Sequence, residues 1–314
     1  MTDEIDLSIV VVSYNTRELT LQCLRSILEN TNNVRFQVLV VDNNSADDSA
    51  DAIEKEFPAV RVIRNLENKG LAAATNQGLE HSTGRYVMSL NSDTVIKPGA
   101  FDTLVEFMDE HPEVGAAIPR LVLPDGSEHP TFVGNIPTLR SELLSALSPL
   151  HPSIGRAAEE ARFGAKIDVR RTQEVPCILW GTALIVRREI LKTIGFQDAR
   201  FFVYAEDVDW VMRIGRAGWK LWLVSEAEVV HYGGQSTKQA STRMLAQIHK
   251  SKSRLIQKHY GTAAGITLRL AYAVVWGTRL AKWVGLYILS SRSREEARER
   301  IQRMWAVIRA VLSY

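Results

Sequence analysis

The densest group of acidic side chains in the sequence is the run YAEDVDW at residues 204–210. Three carboxylates so close together repel one another at neutral pH unless a cation, a substrate or exposure to water compensates their charge. An exposed helix start would tolerate them, because anions are favourable at helix N-termini. The aromatic residues in and before the run favour a more enclosed site, where a carboxylate can act as a general base toward an acceptor hydroxyl. Glu206 and Asp207 are therefore the candidate catalytic residues.

A second group of oxygen-bearing side chains consists of Asn91, Ser92 and Asp93, which follow the apolar run YVMSL. Mg²⁺ and Mn²⁺ are hard cations that bind carboxylates together with substrate phosphates. Asp93 is placed to hold such an ion against a diphosphate, with Asn91 and Ser92 beside it. The same triplet in isolation is more typical of an Asx turn, so the hypothesis depends on its position after a predicted strand.

Three more candidate residues follow apolar runs. Asp42 comes directly after VLVV and is predicted to accept a hydrogen bond from a base N–H, whereas the nearby Ser45 is explained as a helix N-cap. Tyr14 is predicted to stack on a nucleobase, with simple packing as the alternative. His231 precedes a Gly-Gly pair that permits close backbone approach to a ligand, so we predict a metal or phosphate contact, with a structural histidine as the alternative.

The elements that must position these residues alternate between strand and helix. Apolar β-branched runs bounded by turn-forming residues predict buried strands, and apolar residues on one helical face predict the helices between them. The predicted strands are Leu7–Val12, Val38–Val41, Val60–Arg64, Tyr86–Leu90 and Leu179–Val186. The predicted helices are Thr16–Glu29, Ala50–Phe57, Leu71–Glu80 and the end of 201–216. This pattern predicts an α/β sheet with helices on both faces and ligands at the carboxyl ends of its strands.

One long segment departs from this alternation. Residues from about 124 to 175 have no regular period and are rich in Pro, Ser, Gly and Arg. Unstructured segments of this length inside a compact domain are usually functional lids or partly disordered. We therefore predict a catalytic domain over residues 1–240 with a long loop at about 124–175.

The C-terminal region, residues 241–314, is basic and rich in aromatic residues. It contains two amphipathic stretches, at 266–289 and 295–312, which predict helices. The aromatic residues suited to a headgroup boundary are Tyr272, Trp276, Trp283 and Tyr287. We expect these helices at an anionic membrane surface, with packing on the catalytic domain or at a subunit interface as the alternative.

Composition limits the class of protein. A formal net charge of +2 over 314 residues gives no general case for nucleic acid as a partner, and 46% hydrophobic content is that of an ordinary globular chain. Cys23 and Cys177 have no metal or redox spacing and are expected to be reduced in a cytosolic protein. The N-terminus lacks the pattern of a signal peptide.

Seven stretches of the sequence, in order, resemble the motifs of family 2 glycosyltransferases, especially the bacterial rhamnosyltransferase-like branch. They are SIVVVSYNT, VVDNNSADDS, NKGLAAATNQG, LNSDT, WGTALIVRREIL, VYAEDVDW and VVHYGGQST. The resemblance implies a GT-A type fold, a Rossmann-like mixed sheet, to which this chain adds C-terminal amphipathic helices. It also implies a nucleoside-diphosphate sugar donor, a divalent cation (Mn²⁺ or Mg²⁺) and inversion at the anomeric carbon.

The resemblance also implies roles for individual donor-binding residues. Tyr14 and Asp42 match base-binding positions, and Lys69 lies near positions that contact the nucleotide. Asn91 and Ser92 belong to the motif beside the diphosphate, where this sequence reads Asn-Ser-Asp in place of Asp-x-Asp.

Metal and catalytic roles follow in the same way. Asp93 matches the last acid of the DxD-type metal motif, and His231 falls where a metal or diphosphate contact is often placed. Asp207, the second acid of the Glu206–Asp207 pair, matches the catalytic base.

The predicted function is sugar transfer to a hydroxyl of a glycan or polyprenol-diphosphate-linked acceptor in cell-surface polysaccharide synthesis, at the inner face of the cell membrane. The predicted donor is dTDP-rhamnose, with a UDP-hexose as the alternative. Sugar-nucleotide pyrophosphorylases and dinucleotide oxidoreductases need a Gly-rich phosphate loop after the first strand, and SYNT at 13–16 has no glycine. A non-catalytic carbohydrate-binding or scaffold protein on the same fold is the alternative of a different class.

Overall fold

The computed structural model describes residues 4–129, 133–163, 167–175, 178–179, 181–233, 241–289 and 294–313. Contacts divide the chain into two compact units. The first contains residues 1–134, 165–202 and 206–236, and the second contains residues 135–164, 203–205 and 237–314. Cys177, Trp180 and Gly234, which the sequence analysis mentions or includes in its motifs, lie outside the described residues.

The secondary structure follows the predicted alternation and then extends it. The strands are β1 (Leu7–Ser13), β2 (Phe36–Asp42), β3 (Arg61–Arg64), β4 (Tyr86–Asn91), β5 (Thr94–Ile96), β6 (Val114–Val122), β7 (Val133–Gly134), β8 (Gln173–Glu174), β9 (Ile178–Leu179), β10 (Ala183–Arg187) and β11 (Lys220–His231). The helices are α1 (Arg17–Asn30), α2 (Ser49–Glu56), α3 (Leu71–Glu80), α4 (Ala100–Glu110), α5 (Leu139–Leu147), α6 (Pro152–Phe163), α7 (Glu189–Thr193), α8 (Glu206–Arg216), α9 (Ser241–Tyr260), α10 (Thr262–Leu289) and α11 (Arg294–Leu312).

The first unit is built on a mixed sheet with the strand order β3-β2-β1-β4-β10-β6-β11-β5, and β8 pairs with β11. Strands β1 to β4 pair in parallel, whereas β10 runs antiparallel to both of its neighbours. Every residue from Leu7 to Val11 is at most 1% exposed, so β1 is covered on both faces. The predicted α/β fold with a mixed sheet and C-terminal helices is confirmed.

The register of the parallel strands brings their carboxyl ends to one edge. Ser13 is the partner of Asp42 across β1 and β2, and Val12 is the partner of Asn91 across β1 and β4. The loops that carry the candidate donor-binding residues therefore start side by side, as expected for ligand sites in open α/β sheets.

Two predicted segments differ from the structure. The strand expected over Leu179–Val186 is interrupted, because Gly181 and Thr182 form a turn between β9 and β10. The long loop expected at about 124–175 contains α5, a 3₁₀ turn and α6. A capping box starts α5: Ser141 N donates to Thr138 Oγ1 (3.1 Å) and Thr138 N donates to Ser141 Oγ (2.9 Å). This cap satisfies backbone groups that an irregular apolar pattern does not reveal.

The second unit contains a hydrophobic core of its own, formed by α5, α9, α10 and α11. Its buried residues are Ala146, Ala246, Ile256, Leu268, Tyr272, Val307 and Val311. Tyr272 and Trp276, two of the aromatic residues expected at a membrane, pack in or against this core, whereas Tyr287 is 42% exposed. Among the helices in the described part of the chain, none is long and apolar enough to cross a membrane.

Candidate functional site

The loop after β2 holds the carboxylate of Asp42 in a buried position. Ser45 N donates to Asp42 Oδ2 at 3.0 Å, and the side chain is largely enclosed. The other oxygen, Oδ1, is buried and has no hydrogen-bond partner among the described residues. A buried acceptor left unpaired is costly, so Asp42 Oδ1 is available to a donor group of a ligand.

The loop after β1 is tied to the loop after β2. Asn15 has a positive φ of 53°, and its backbone N donates to Ser45 Oγ at 3.0 Å. In return, Ala46 N donates to Asn15 Oδ1 at 2.7 Å. The side chain of Tyr14, just before Asn15, is 36% exposed at this edge of the sheet. The structure therefore places an accessible aromatic ring and a buried carboxylate on two connected loops.

A network of amide side chains holds the next loop, which contains Lys69. Asn43 Oδ1 accepts hydrogen bonds from Lys69 N (3.1 Å) and from Asn65 Nδ2 (3.0 Å). Asn43 Nδ2 in turn donates to Asn68 Oδ1 at 2.9 Å. The Lys69 side chain itself is exposed. Asn43 was not predicted to be a functional residue, although it adjoins Asp42 in the motif VVDNNSADDS.

Asp93 and His231 lie next to each other, although they are far apart in the sequence. His231 is the last residue of β11 and pairs with Thr94 of β5, and Tyr232 N donates to Asp93 O at 3.0 Å. His231 Nε2 is 3.4 Å from Asp93 Oδ1 and has no hydrogen-bond partner among the described residues. Both side chains are buried.

A second histidine adjoins this pair and was missed by the sequence analysis. His129 Nε2 is 3.2 Å from His231 Nδ1, and the two rings lie 5.0 Å apart. Partial burial lowers the pKa of His129, and the nearby His231 lowers it further, while Asp93 opposes the shift. His129 follows the Pro-Asp-Gly turn at 124–126, which offers no pattern typical of a ligand residue.

The Asp93–His231 pair fits a divalent cation that takes most of its ligands from a substrate. Among the described residues, no cluster of three or more His, Cys, Asp or Glu side chains is arranged to hold a metal. Cations such as Mg²⁺ bind through one or two protein groups plus phosphate oxygens. The buried Nε2 of His231, which lacks a hydrogen bond, and the adjacent carboxylate provide two groups of that kind.

Hydroxyl groups and backbone bonds fix the connection between β4 and β5. Ser92 Oγ is 3.1 Å from Thr16 Oγ1, which in turn is 3.2 Å from Thr20 Oγ1. Asn91 O accepts from Thr94 Oγ1 at 2.8 Å. The Ser92 hydroxyl is thus engaged inside the protein, beside the acid that follows it.

Asp207 lies at the start of α8, with both of its oxygens held by backbone amides. Gly181 N donates to Oδ2 and Val208 N donates to Oδ1, each at 2.7 Å. The two residues before α8, Tyr204 and Ala205, both have φ of 68°, in the left-handed region that non-glycine residues rarely adopt. The carboxylate is therefore fixed by two hydrogen bonds and preceded by a strained backbone.

Glu206 is the more deeply buried member of the pair. Its pKa is raised well above the ordinary range, first by burial and then by the adjacent charge of Asp207. Burial also raises the pKa of Asp207, but its two backbone hydrogen bonds oppose this shift because they stabilise the ionised form. Glu206 Oε2 is buried and has no hydrogen-bond partner among the described residues. Asp207 is thus the acid of the pair better adapted to carry a charge.

The third acid of the run has a structural role. Asp209 is fully buried and forms an ion pair with Arg213, one helical turn later, at 3.0 Å. Arg213 also donates to the carbonyl groups of Ile194 and Phe196. The expected repulsion among three carboxylates therefore concerns only two, because Arg213 balances the third.

One turn connects the end of β4 with the acid pair. Thr182 O accepts from Asn91 N at 2.9 Å, and the preceding Gly181 N donates to Asp207. A Cβ at Gly181 would lie 2.7 Å from the Cβ of Asp207, so only glycine fits there without displacing α8. Gly181 belongs to the motif WGTALIVRREIL, but no role was predicted for it.

Comparison with known proteins agrees with this geometry. The chain matches the family model described as Glycosyl transferase family 2 over residues 8–195. An N-acetylglucosaminyl-diphospho-decaprenol L-rhamnosyltransferase of Mycobacterium tuberculosis is 31% identical over 229 residues, which are 68% of this chain and 72% of that protein. The O-antigen biosynthesis protein RfbC of Myxococcus xanthus is 25% identical over 235 residues, which are 73% of this chain and 17% of that protein.

Solved structures show the same fold at low sequence identity. Mannosyltransferase PcManGT from Pyrobaculum calidifontis, in complex with GDP-Man and Mn²⁺, has a TM-score of 0.55 and 19% identity, covering 99% of this chain and 87% of its own. TarS from S. aureus has a TM-score of 0.53 and 16% identity, covering 99% of this chain and 91% of its own. Because its family model spans more than half of the chain, and its site lies at the expected edge of the sheet, the protein belongs to glycosyl transferase family 2 and is a glycosyltransferase of GT-A type fold.

Proposed function

We propose that this glycosyltransferase is inverting and depends on a divalent cation, and that it transfers rhamnose from dTDP-rhamnose to a hydroxyl of a lipid-linked glycan. The observation that carries the proposal is the carboxylate of Asp207, held by the backbone amides of Val208 and of Gly181, whose neighbour Thr182 contacts Asn91. A UDP-hexose is the alternative donor.

The donor nucleotide is proposed to bind at the ends of β1 and β2. The exposed ring of Tyr14 stacks on the base, and the unpaired Asp42 Oδ1 accepts from a base N–H. Lys69, on the loop held by Asn43, supplies positive charge to the nucleotide from its exposed side chain. Rhamnose is favoured because the mycobacterial relative, at 31% identity, is by name an L-rhamnosyltransferase.

The diphosphate is proposed to lie beside Asn91, Ser92 and Asp93. Asp93 and His231 would hold the divalent cation, since both are buried and their polar atoms lie 3.4 Å apart. When bound, such a cation neutralises the charge that develops on a leaving diphosphate. Ser92 contributes by fixing the loop through Thr16 and thereby keeps Asp93 in place.

Asp207 is proposed to act as the general base in a single displacement. It takes the proton of the acceptor hydroxyl while that oxygen forms a bond to the anomeric carbon and the bond to the diphosphate breaks. Each carboxylate oxygen accepts one backbone hydrogen bond and keeps a second lone pair for this proton. Glu206 is buried, and its pKa is strongly raised. It is proposed to affect the electrostatics of the site without receiving the proton of the acceptor hydroxyl.

The acceptor is proposed to be carried on a polyprenol diphosphate at the membrane surface. The named product of the mycobacterial relative is built on a decaprenol carrier. Helix α10 exposes Ile266, Leu270 and Val274, which are spaced four residues apart and therefore share one helical face. An exposed apolar face on a helix that contains basic and no acidic residues suits peripheral binding to anionic lipid.

Calorimetric titration of dTDP and UDP, with and without Mn²⁺, tests the proposal. Wild-type protein should bind one of the two nucleotides more tightly when Mn²⁺ is present, and Asp93→Ala should remove that gain. Asp51→Ala, which deletes an exposed carboxylate paired with Arg64, is the matched control and should bind as wild type. Equal Mn²⁺-dependent affinity in wild type and Asp93→Ala would refute the metal assignment.

A further inference from the structure

A cavity of about 300 Å³ lies inside the second unit, where α5, α9 and α10 meet. Most of its wall is apolar, and it includes Ala146, Leu245, Ile248, Val275 and the ring of Trp276. Pockets of this size, with apolar walls and a few polar groups, are typical of small-ligand sites. None of the residues proposed for donor binding or catalysis belongs to it.

Two cationic side chains also line the cavity, and they differ in their partners. Lys252 Nζ is 2.8 Å from Glu142 Oε2, so its charge is balanced within the unit. Arg279 has no carboxylate within ion-pair distance among the described residues, and its guanidinium lies 5.1 Å from the centre of the Trp276 ring. The cavity therefore has a surplus positive charge beside an apolar wall.

His249 also lines this cavity, and its ring carries a hydrogen-bond donor without a partner among the described residues. Trp276 Nε1–H donates to His249 Nε2 at 3.0 Å, so in the neutral ring the proton must sit on Nδ1. Burial and the nearby charges of Lys252 and Arg279 lower the pKa of His249 to about 4, which keeps the ring neutral at physiological pH. Nδ1 is buried and has no partner among the described residues.

We infer that this cavity binds an isoprenoid phosphate, with the phosphate at Arg279 and His249 Nδ1–H and the hydrocarbon chain along the apolar wall. A guanidinium and a neutral donor match an anionic group with several acceptor oxygens. A purely apolar ligand would leave both groups unpaired, and a purely ionic one would leave the apolar wall uncovered. The inference rests on the proposed function, because the ligand would be the carrier end of a polyprenol-linked acceptor.

Binding of farnesyl phosphate to the full-length protein, followed by calorimetry and tryptophan fluorescence, tests this assignment. We expect saturable binding with one site per chain. Farnesol should bind at least about 10-fold more weakly, as expected when a charge-assisted interaction is removed. Inorganic phosphate should give no saturation, because it cannot cover the apolar wall.

Variants identify where the ligand binds. Arg279→Gln should weaken farnesyl phosphate at least about 10-fold, and so should Ile248→Trp, which fills the cavity. Lys282→Gln removes an exposed positive charge from the same helix, outside the cavity lining, and should leave binding unchanged. His249→Phe keeps an aromatic ring at this position and deletes the Nδ1–H donor. It therefore gives an independent measurement of farnesyl phosphate affinity if another variant fails to fold.

The results separate this inference from the glycosyltransferase proposal. Nucleotide affinity with Mn²⁺, measured on the same samples, reports on the first unit and should be unaltered by the cavity variants. Equal farnesyl phosphate affinity in wild type and all cavity variants, or no binding at all, would refute the cavity assignment while leaving the donor site intact. Dihexanoyl phosphatidylglycerol that binds at the same residues in place of farnesyl phosphate would instead assign the cavity to a membrane lipid headgroup.

Discussion

Glu206 is buried and the adjacent Asp207 is half-buried, and their carboxylates have different surroundings. Asp207 accepts two backbone hydrogen bonds, whereas one oxygen of Glu206 lacks a partner in the described part of the chain. Hydrogen bonds to an ionised carboxylate favour its charge, and burial without them opposes it. The surroundings of Asp207 therefore favour a negative charge more than those of Glu206 do.

We expect Asp207→Asn to lose transfer by about 10²-fold to 10⁴-fold, the usual contribution of a general base, while donor affinity stays near that of wild type. The base acts on the acceptor hydroxyl, so nucleotide binding does not need it. Glu206→Gln should be milder. Initial rates together with calorimetric donor affinities provide the measurement. An inactive Glu206→Gln combined with an active Asp207→Asn would mean that the two roles are exchanged.

The raised pKa of Glu206 has a consequence for stability. Because the folded state holds this proton more tightly than the unfolded state, stability is fully present below the ordinary pKa of 4.5 and is lost as pH rises through the raised value. Glu206→Gln imitates the protonated acid and should escape this loss. We expect its melting temperature to exceed that of wild type at pH 8 and to match it near pH 4, by differential scanning calorimetry. A difference of the same size at both pH values would contradict the shift.

Single residues were predictable from the sequence where a motif carried them. The motif LNSDT contains Asp93, and His231 lies between an apolar run and a Gly-Gly pair, so both candidates could be named before any contact was known. His129 could not, because its contact with His231 joins positions 102 residues apart and no local pattern reports it. Asn43 was overlooked for a related reason, since its bonds reach a different loop.

At the scale of elements, the turn at Gly181 and Thr182 carries more of the site than its two residues suggest. It interrupts what would otherwise be one strand. Thr182 O accepts a hydrogen bond from Asn91 N at the end of β4, and Gly181 N donates one to Asp207 in the first turn of α8. The turn thus sets the position of α8 relative to the loop after β4.

Gly181→Ala should therefore reduce transfer by about 100-fold, since a displacement of about 1 Å at a catalytic group has that order of effect. The new Cβ would lie 2.7 Å from the Cβ of Asp207 and push the carboxylate away. Donor affinity should change little. Gly215→Ala is the control. Gly215 lies in α8, the helix that carries Asp207, and a Cβ there would meet Leu221 at an ordinary 3.5 Å. A fully active Gly181→Ala enzyme would show that the position of Asp207 tolerates this displacement.

Elements with clean periodicity were predictable, and irregular ones were not. Strands β1 to β4 and helices α1 to α3 have apolar runs or faces of the standard spacing, and the structure forms all of them. Strand β11 was missed because register shifts at Lys220/Leu221 and Val224/Glu228 break its alternation of inward and outward side chains. Strand β6 contains Gly115 and Pro119, both unfavourable in strands, and tertiary packing outweighs this propensity.

At the scale of the whole molecule, the second unit is assembled from separate parts of the chain. Residues 135–164 join the C-terminal helices, although the sequence places them inside the catalytic domain. Their contribution to the core explains why an aperiodic segment folds: α5 places Ala146 in a cluster with residues of α9, α10 and α11. Burial by residues distant in the sequence cannot be recognised from the local pattern of apolar and polar residues.

The exposed face of α10 gives a test of membrane association. Leu270 and Val274 are 55% and 58% exposed, so replacing both with Glu should leave the unit folded while adding repulsion from anionic lipid. We expect co-sedimentation with phosphatidylglycerol vesicles to fall at least several-fold, and wild-type binding to weaken in high salt because charge attraction is screened. Gln302→Glu adds charge on α11 and serves as the control. Unchanged sedimentation of the double variant would show that this face is not the anchor.

Tyr204 and Ala205 precede α8, and both have a left-handed backbone conformation. Because of this conformation, changes that raise thermal stability are expected to lower the catalytic rate. Strain of this kind costs of order 1–3 kcal/mol at each non-glycine residue. Glycine or asparagine at either position would relieve it, so an engineering campaign that ranks variants by survival at high temperature would enrich such changes. The same changes would loosen the backbone that leads to Asp207, the proposed base. Directed evolution of this enzyme therefore needs turnover as a second selection criterion, since heat resistance alone would reward the variants that turn over more slowly.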